Sequence, residues 1–80
     1  MTVRVLLFAS YADAVGKPEL SLDLPAGAQV RDVLARVRAM TLGKRVPERP
    51  LVAVNQRYAR EDQPVSAADE VAIIPPVAGG

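Results

Sequence analysis

The chain has 80 residues, half of them apolar, with ten basic and nine acidic side chains and a net charge of +1. That length allows one small domain with a thin stability margin. The near-neutral charge is far from the basic excess expected of a nucleic-acid-binding protein. The lack of cysteine and histidine excludes disulfides, thiolate nucleophiles and Cys-based zinc sites, and removes the commonest general base. No apolar run approaches the roughly 20 residues of a membrane helix, so we expect a cytoplasmic protein that binds neither nucleic acid nor membrane.

The first quarter of the chain predicts a strand, a short helix and a second strand. Residues 3–8 (VRVLLF) are β-branched and apolar with a single charge, which is typical of a buried central strand. Residues 9–16 (ASYADAVG) predict one or two helical turns that stop at Gly16. In residues 20–24 (LSLDL) leucine alternates with polar side chains, which indicates a strand with one buried face.

The clearest helix follows a Pro-Ala-Gly loop. Its apolar side chains recur at i, i+3, i+4 and i+7, namely Val30, Val33, Leu34 and Val37. The charged side chains of this segment lie off that stripe. Gly43 is the predicted stop, since glycine commonly ends helices.

The second half predicts three further strands. Residues 51–54 and 57–59 form a strand and a brief return strand around a tight turn at Asn55-Gln56. Residues 71–74 (VAII) form the last strand. Pro75 and Pro76 close it because proline has no amide hydrogen for the ladder.

This order of elements predicts an α+β fold, with a mixed sheet of four to five strands and one main helix packed on one face. We expect the apolar first and last strands to lie side by side at the sheet centre. The helix covers one face only, so apolar residues on the other face form an exposed patch of the kind that marks a partner surface. Phe8, Tyr58 and Ile74 are the candidates for it, and for each of them a place in the core is an equal alternative.

The chain carries none of the usual sites for chemistry. It has no phosphate-binding glycine loop, no dinucleotide motif and no metal-ligating motif, and its serines have no histidine to activate them. Two carboxylate pairs, Glu61-Asp62 and Asp69-Glu70, are sequence neighbours in turn-like surroundings, where their side chains diverge. If this chain takes part in chemistry, the reactive group must therefore be an unusual one, or a partner must supply the catalysis.

The remaining candidate is the end of the chain. We divide the sequence into a domain of residues 1–76 and a protruding tail of residues 77–80. Pro75 and Pro76 stiffen the exit, Val77 and Ala78 continue it, and Gly79 adds a section without a Cβ atom that a narrow channel can admit. Gly80 would carry a free α-carboxylate, which becomes reactive toward sulfur or nitrogen nucleophiles once it is joined to AMP.

Three stretches resemble a known family. They are VRVLLFAS at residues 3–10, LVAVNQRY at residues 51–58 and DEVAIIPPVAGG at residues 69–80. Together they resemble the ubiquitin-like β-grasp proteins and, among these, the family of molybdopterin synthase small subunits, which are sulfur carriers in molybdenum-cofactor biosynthesis. The resemblance covers essentially the whole chain.

The resemblance implies a non-catalytic sulfur-donor subunit of a transferase complex. An activating enzyme would adenylate Gly80 with ATP and magnesium, neither of which this chain binds directly, and a sulfur-donor system would convert it to a thiocarboxylate. The large synthase subunit, which carries the catalytic groups, would take Gly79-Gly80 into its active site, and cyclic pyranopterin monophosphate would receive the sulfur. The resemblance also implies a heterotetrameric synthase and docking through Phe8, Tyr58 and Ile74.

Three alternatives stay open. A sulfur carrier for thiamin thiazole or for tRNA thiolation would share the fold and the Gly-Gly end. A ubiquitin-like modifier would join Gly80 to target lysines through an isopeptide bond. In a plain binding module, the apolar sheet face would be the whole function.

Overall fold

A computed structural model describes residues 1–41, 43–44, 46 and 49–76 of the chain. The elements in chain order are β1 (Thr2–Leu7), α1 (Ala9–Val15), β2 (Glu19–Asp23), α2 (Val30–Ala39), β3 (Leu51–Val54), β4 (Arg57–Tyr58) and β5 (Glu70–Ile74). The strand bounds lie within one residue of the predicted ones. Neither helix in this part of the chain is long and apolar enough to cross a membrane.

The strands form one mixed sheet in the order β2-β1-β5-β3-β4. β1 and β5 pair in parallel, while the other neighbours are antiparallel. The predicted adjacency of the first and last strands is confirmed, and β5 is the middle strand of the five. With α2 on one face, this arrangement is the predicted α+β fold of the β-grasp type.

One core lies between α2 and the sheet. All four apolar residues predicted for the helix stripe are buried, and they belong to the same cluster as the helix-facing residues of the strands. The largest fully buried side chain is that of Tyr11 from α1. Burying each valine or leucine of this cluster contributes roughly 1.5–3 kcal/mol. Within the described part of the chain, every buried side-chain nitrogen and oxygen has a hydrogen-bond partner.

Helix α2 ends four residues before the predicted stop at Gly43. Gly43 has a φ of 80°, but it belongs to the turn after the helix. The helix ends at Ala39, and the Met40 amide bonds back to the Val37 carbonyl at 2.9 Å. Thr41 is buried and its Oγ1 donates to the Arg38 carbonyl at 2.7 Å. This bond satisfies one of the carbonyls that the last turn of a helix leaves unpaired.

The start of α2 is held by a distant loop. The Val30 and Arg31 amides donate to the carbonyls of Gln63 and Glu61, each at 2.9 Å. The Gln29 amide donates to Asp32 Oδ2 at 2.7 Å. These bonds satisfy amide groups that a helix start leaves unpaired, and they attach residues 61–64 to the core.

The turn between β3 and β4 confirms the predicted tight turn. Asn55 and Gln56 have φ values of 52° and 69°, the pair of positive angles found in a type I′ hairpin turn. Glycine usually occupies the second position, because a Cβ atom strains the left-handed region. Gln56 is exposed and makes no hydrogen bond through its side chain within the described residues.

Replacing Gln56 by glycine should therefore stabilise the domain. We expect the free energy of unfolding to rise by about 0.5–1 kcal/mol and Tm to rise by about 4 °C. The reason is that relief of backbone strain outweighs the added entropy of the unfolded chain. Thermal unfolding followed by circular dichroism measures this. Asn55→Gly is the matched control, since it loses side-chain hydrogen bonds to residues 69 and 70 and should lower Tm. A lower Tm for Q56G would contradict the assignment of strain.

Candidate functional site

The sheet face opposite α2 carries a continuous set of apolar side chains. Alternation along each strand places every second residue on this face, and the strand register sets them side by side. Leu6 pairs with Ala72, Ala72 with Ala53, and Ala53 with Tyr58 across four strands. On the adjacent row Ile74 pairs with Leu51. We call this surface the apolar patch; its members are Leu6, Phe8, Leu51, Ala53, Tyr58, Ala72 and Ile74.

All three residues predicted for a partner surface lie on the apolar patch. Phe8 follows β1 in an extended conformation, with φ −124° and ψ 149°, and its amide bonds to the Ile73 carbonyl at 3.3 Å, which places it beside Ile74. Phe8 is 45% exposed and Tyr58 75%, while Ile74 is half-buried between its neighbours. None of them belongs to the core cluster.

Sequence reasoning missed Leu51, which is as exposed as Phe8. The sequence did contain a pattern that indicates its position. Val52 and Val54 face the helix, and side chains alternate along a strand, so Leu51 and Ala53 must face the other way. A strand that begins at Leu51 therefore turns this side chain to the outer face. The leucine was passed over because residues 51–54 (LVAV) are apolar throughout, so composition alone does not say which face is covered.

A charged group borders the apolar patch on the same sheet face. Arg4 NH2 lies 2.8 Å from Glu19 Oε2, and Arg4 NH1 lies 3.6 Å from Glu70 Oε2. The hydrogen bond to Glu19 and the charge of that carboxylate raise the pKa of Arg4. All three side chains are substantially exposed, so the group adds little to stability and acts mainly as a polar edge to the patch.

A hydrogen-bonded network fixes the start of β5, the strand that leads to the tail. Asn55 Nδ2 donates to Asp69 Oδ1 at 2.9 Å, and Asn55 Oδ1 accepts from the Glu70 amide at 3.0 Å. Asp69 Oδ2 also accepts from the Ser66 amide at 2.8 Å. The bond from Asn55, followed by that from Ser66, lowers the pKa of Asp69. The network joins the β3–β4 turn to the loop before β5.

The predicted tail lies only partly within the described structure. β5 ends at Ile74, Pro75 is half-buried and Pro76 is exposed. Val77, Ala78, Gly79 and Gly80 lie outside the described residues, so the roles assigned to them remain predictions. The structure does establish that the chain leaves the sheet from its middle strand at Ile74, beside Phe8 and Leu51.

The rest of the described surface offers no competing site. A depression of about 330 Å³ lies between Pro25 and Arg36, and another of about 430 Å³ lies around Gly16 and Lys17. Both are open to solvent, and their charged side chains are exposed. No cluster of carboxylates that could hold a metal ion occurs among the described residues.

The fold of this chain is that of the ubiquitin-like proteins. The chain superposes on the crystal structure of SAMP1, a small archaeal modifier protein from Haloferax volcanii, with a TM-score of 0.84, 28% identity and full coverage of both chains. It also matches Caldiarchaeum subterraneum ubiquitin with a TM-score of 0.68, covering 100% of this chain and 98% of that one. The identity there is 20%, so this second likeness shows the fold alone.

Sequence comparison gives the family. A model of the ThiS family matches residues 5–80. A Chlamydomonas reinhardtii protein named molybdopterin synthase sulfur carrier subunit is 36% identical over 83 residues, and the match covers all of both chains. The chain belongs to the ThiS family. The resemblance found in the sequence is therefore confirmed.

The lowered pKa of Asp69 predicts a pH dependence of stability. A carboxyl whose pKa is lower in the folded state stabilises the fold above its unfolded pKa of about 4, and that contribution is lost as pH falls through the folded value. We therefore expect chemical denaturation of D69N to show a smaller loss of unfolding free energy between pH 5 and pH 2.5 than the unmodified chain. Asp13→Asn, which removes an exposed carboxylate without a hydrogen bond to the described residues, is the matched control. Equal acid sensitivity in the unmodified chain and D69N would refute the role of Asp69.

Proposed function

We propose that this chain is the sulfur carrier subunit of a molybdopterin synthase and works in the cytoplasm. The observation that carries the proposal is the position of the apolar patch around the exit of a tail that ends in Gly79-Gly80. Relatives named as carriers of this synthase support the same function. The chain supplies a fold, a docking face and a terminal carboxylate, and its lack of cysteine and histidine leaves catalysis to other proteins.

The reaction cycle proposed here begins on the activating enzyme, which uses ATP and magnesium. An oxygen of the Gly80 carboxylate attacks the α-phosphorus of ATP, pyrophosphate leaves, and a mixed anhydride with AMP forms. Sulfide-level sulfur from the donor system then attacks the carbonyl carbon, a C–S bond forms, and AMP leaves with the electron pair of the C–O bond, which gives the thiocarboxylate. AMP leaves the carbonyl carbon far more readily than an oxygen of the free carboxylate does. Adenylation therefore allows oxygen to be exchanged for sulfur at neutral pH.

The large synthase subunit is the proposed acceptor of the charged carrier. The apolar patch docks on it, with Phe8, Tyr58 and Ile74 as contacts, and Leu51 joins them as the member found from the structure. Aromatic and branched side chains at the centre of an interface commonly carry most of its binding energy. The tail then enters the active site, where cyclic pyranopterin monophosphate receives the sulfur.

A second candidate function is protein modification. It is favoured by the likeness to SAMP1, a modifier protein with 28% identity to this chain. Both functions use the same adenylated Gly80 and differ in the final nucleophile, which is sulfur for the carrier and a lysine amine for the modifier. Carriers for thiamin thiazole or tRNA thiolation share the chemistry as well, but the named curated relatives favour molybdopterin synthase.

Docking is tested by charge placed on the apolar patch. Phe8→Asp or Ile74→Asp should weaken binding to the purified large subunit at least about tenfold, because burying an unpaired carboxylate against an apolar partner costs more than 1.4 kcal/mol. Isothermal titration calorimetry measures the change. Met40→Asp is the matched control, since Met40 is an exposed apolar residue after α2 and outside the patch. Unchanged binding by F8D and I74D would show that the patch is not the docking face.

Sulfur loading is tested by intact-mass analysis. Incubation with the activating enzyme, ATP, magnesium and a sulfur donor should exchange one oxygen for sulfur at the carboxyl end. A chain lacking Gly80 should give no such product and should keep the same Tm, because the fold of residues 1–76 supplies the core. Failure of the intact chain to gain sulfur with a competent enzyme would refute both kinds of carrier. Isopeptide-linked products on other proteins would instead favour the modifier.

A further inference from the structure

One long edge of the sheet is open. β2 pairs with β1 alone, and no second strand lies beside it in the described part of the chain. At the other edge, β4 has only two residues, whereas β2 has five. An exposed strand edge is a template on which a further strand can pair. β2 is therefore the edge with enough length to accept one.

Hydrogen bonds at both ends of the β1–β2 ladder show which backbone groups of β2 face outward. The Leu7 amide donates to the Pro18 carbonyl, and the Leu24 amide to the Met1 carbonyl, each at 2.8 Å. Hydrogen-bonded pairs alternate with non-bonded pairs in an antiparallel ladder, and the register between these two ends is continuous. Every second residue of β2 therefore directs its amide and carbonyl away from β1. These residues are Glu19, Ser21 and Asp23.

Most of these outward backbone groups have no partner. The three residues supply three amides and three carbonyls, and one of the six is taken, because the Asp23 carbonyl accepts a hydrogen bond from Arg36 Nη1 at 3.3 Å. The amide of Asp23 and both groups of Glu19 and of Ser21 form no hydrogen bond with the described residues. Five backbone groups are therefore open to an extended chain, and Arg36 marks the end of the open stretch.

An apolar depression adjoins this edge on the helix side of the sheet. It has a volume of about 330 Å³ and lies between the residues that follow β2 and the exposed side of α2. Its lining includes the apolar side chains of Leu24, Ala28 and Ala35. Arg36 lines it too and contacts the Asp23 carbonyl, so the depression and the open edge are continuous. Every second side chain of a strand added beside β2 faces the helix side, and the depression has room for one of them.

The charges beside the open edge indicate a basic partner. Alternation places the side chains of Glu19 and Asp23 on the outer sheet face, and both are exposed. Glu19 bonds to Arg4, but Arg4 is shared with Glu70, and Asp23 bonds only to the neutral hydroxyl of Thr2. The two carboxylates of β2 are therefore not fully neutralised. Since side chains directly opposite on neighbouring strands interact, a strand with lysine or arginine opposite these carboxylates fits the edge.

The same charges disfavour a second copy of this chain. Two β2 strands paired antiparallel around Ser21 set Glu19 of each copy opposite Asp23 of the other. Both of these cross-strand pairs then consist of two carboxylates, and like charges directly opposite are destabilising. The edge is therefore suited to a segment of a different protein.

We propose that the outer edge of β2 binds an extended basic segment of another protein by strand addition. The segment pairs with the free backbone groups of Glu19, Ser21 and Asp23. Its basic side chains lie opposite the two carboxylates, and a branched apolar side chain enters the depression beside Leu24. In this mode of recognition the main-chain bonds give affinity and the pocket gives specificity. The site leaves the apolar patch uncovered and does not rest on the proposed function.

The probe is a nine-residue synthetic peptide with blocked ends, in which lysine and valine alternate. We expect saturable binding to the full chain with a dissociation constant below about 1 mM, measured by NMR titration of the isotope-labelled protein. The largest shifts and the slowed hydrogen exchange should fall on the amides of Glu19, Ser21 and Asp23. A peptide of the same composition with its valines in one block is the control for simple charge attraction, and it should bind at least tenfold more weakly.

Two variants separate the backbone bonds from the charges. Ser21→Pro removes an outward amide and no bond to β1, a position where an edge strand tolerates proline, and should weaken peptide binding at least tenfold. Glu19→Lys should weaken it at least tenfold as well, because it sets lysine opposite lysine, and it needs no change of the backbone. Glu61→Lys is the matched control, since Glu61 is an exposed acid outside the sheet and its replacement should leave binding unchanged.

Several results would overturn the proposal. They are the absence of saturable binding up to about 5 mM, equal binding of the block peptide, shifts centred on the apolar patch, and unchanged binding by E19K. Sedimentation of the unmodified chain as a dimer, with protected amides in β2, would assign the edge to a second copy and overturn it too. None of these results bears on the proposed carrier function, which is decided by docking on the large subunit and by sulfur loading.

Discussion

The parallel pairing of β1 with β5 is the constraint on which the rest of this structure depends. It joins residues almost seventy positions apart, Leu7 with Ile73, and makes the last strand of the domain the middle strand of the sheet. Every other strand is placed relative to this pair, with β2 outside β1 and β3 outside β5. Because β5 is central, the chain that follows it leaves from the middle of the sheet and not from an edge. A tail at that position is surrounded by a broad surface on which a partner can dock.

The same pairing accounts for the apolar patch. A central strand in a sheet covered by one helix has a buried face and an open face, yet β5 is apolar on both, with Val71 and Ile73 in the core and Ala72 and Ile74 outside. Apolar residues on the open face add nothing to the core formed with α2. The proposed function accounts for their presence beside the end of β5, since a partner would cover them and contiguous exposed apolar surface is otherwise a liability. The ion pairs of Arg4 limit that surface on the β2 side.

Local patterns in the sequence were sufficient for most of the fold. The apolar stripe from Val30 to Val37 predicted α2, and the alternation in residues 20–24 predicted β2. The first pattern is typical of a helix with one buried face and the second of a strand with one buried face. Features that depend on distant contacts were not accessible in this way. The end of α2 is set by the buried Thr41 and not by Gly43, and the network of Asn55 with Asp69 joins residues fourteen positions apart. For the candidate site, Phe8, Tyr58 and Ile74 were found from excess apolarity, but their exposure and the addition of Leu51 required the register of the sheet.

The composition of the chain follows from the chemistry proposed for Gly80. An adenylated carboxyl reacts with any accessible sulfur or nitrogen nucleophile, so a protein that carries one benefits from having few of its own. This sequence has no cysteine or histidine and only two lysines. Its positive charge is instead provided by arginine, which solvates the surface without attacking an acyl group. Under the proposed function, the partner encloses the reactive end and the carrier itself offers few nucleophiles, so both features limit unwanted acylation.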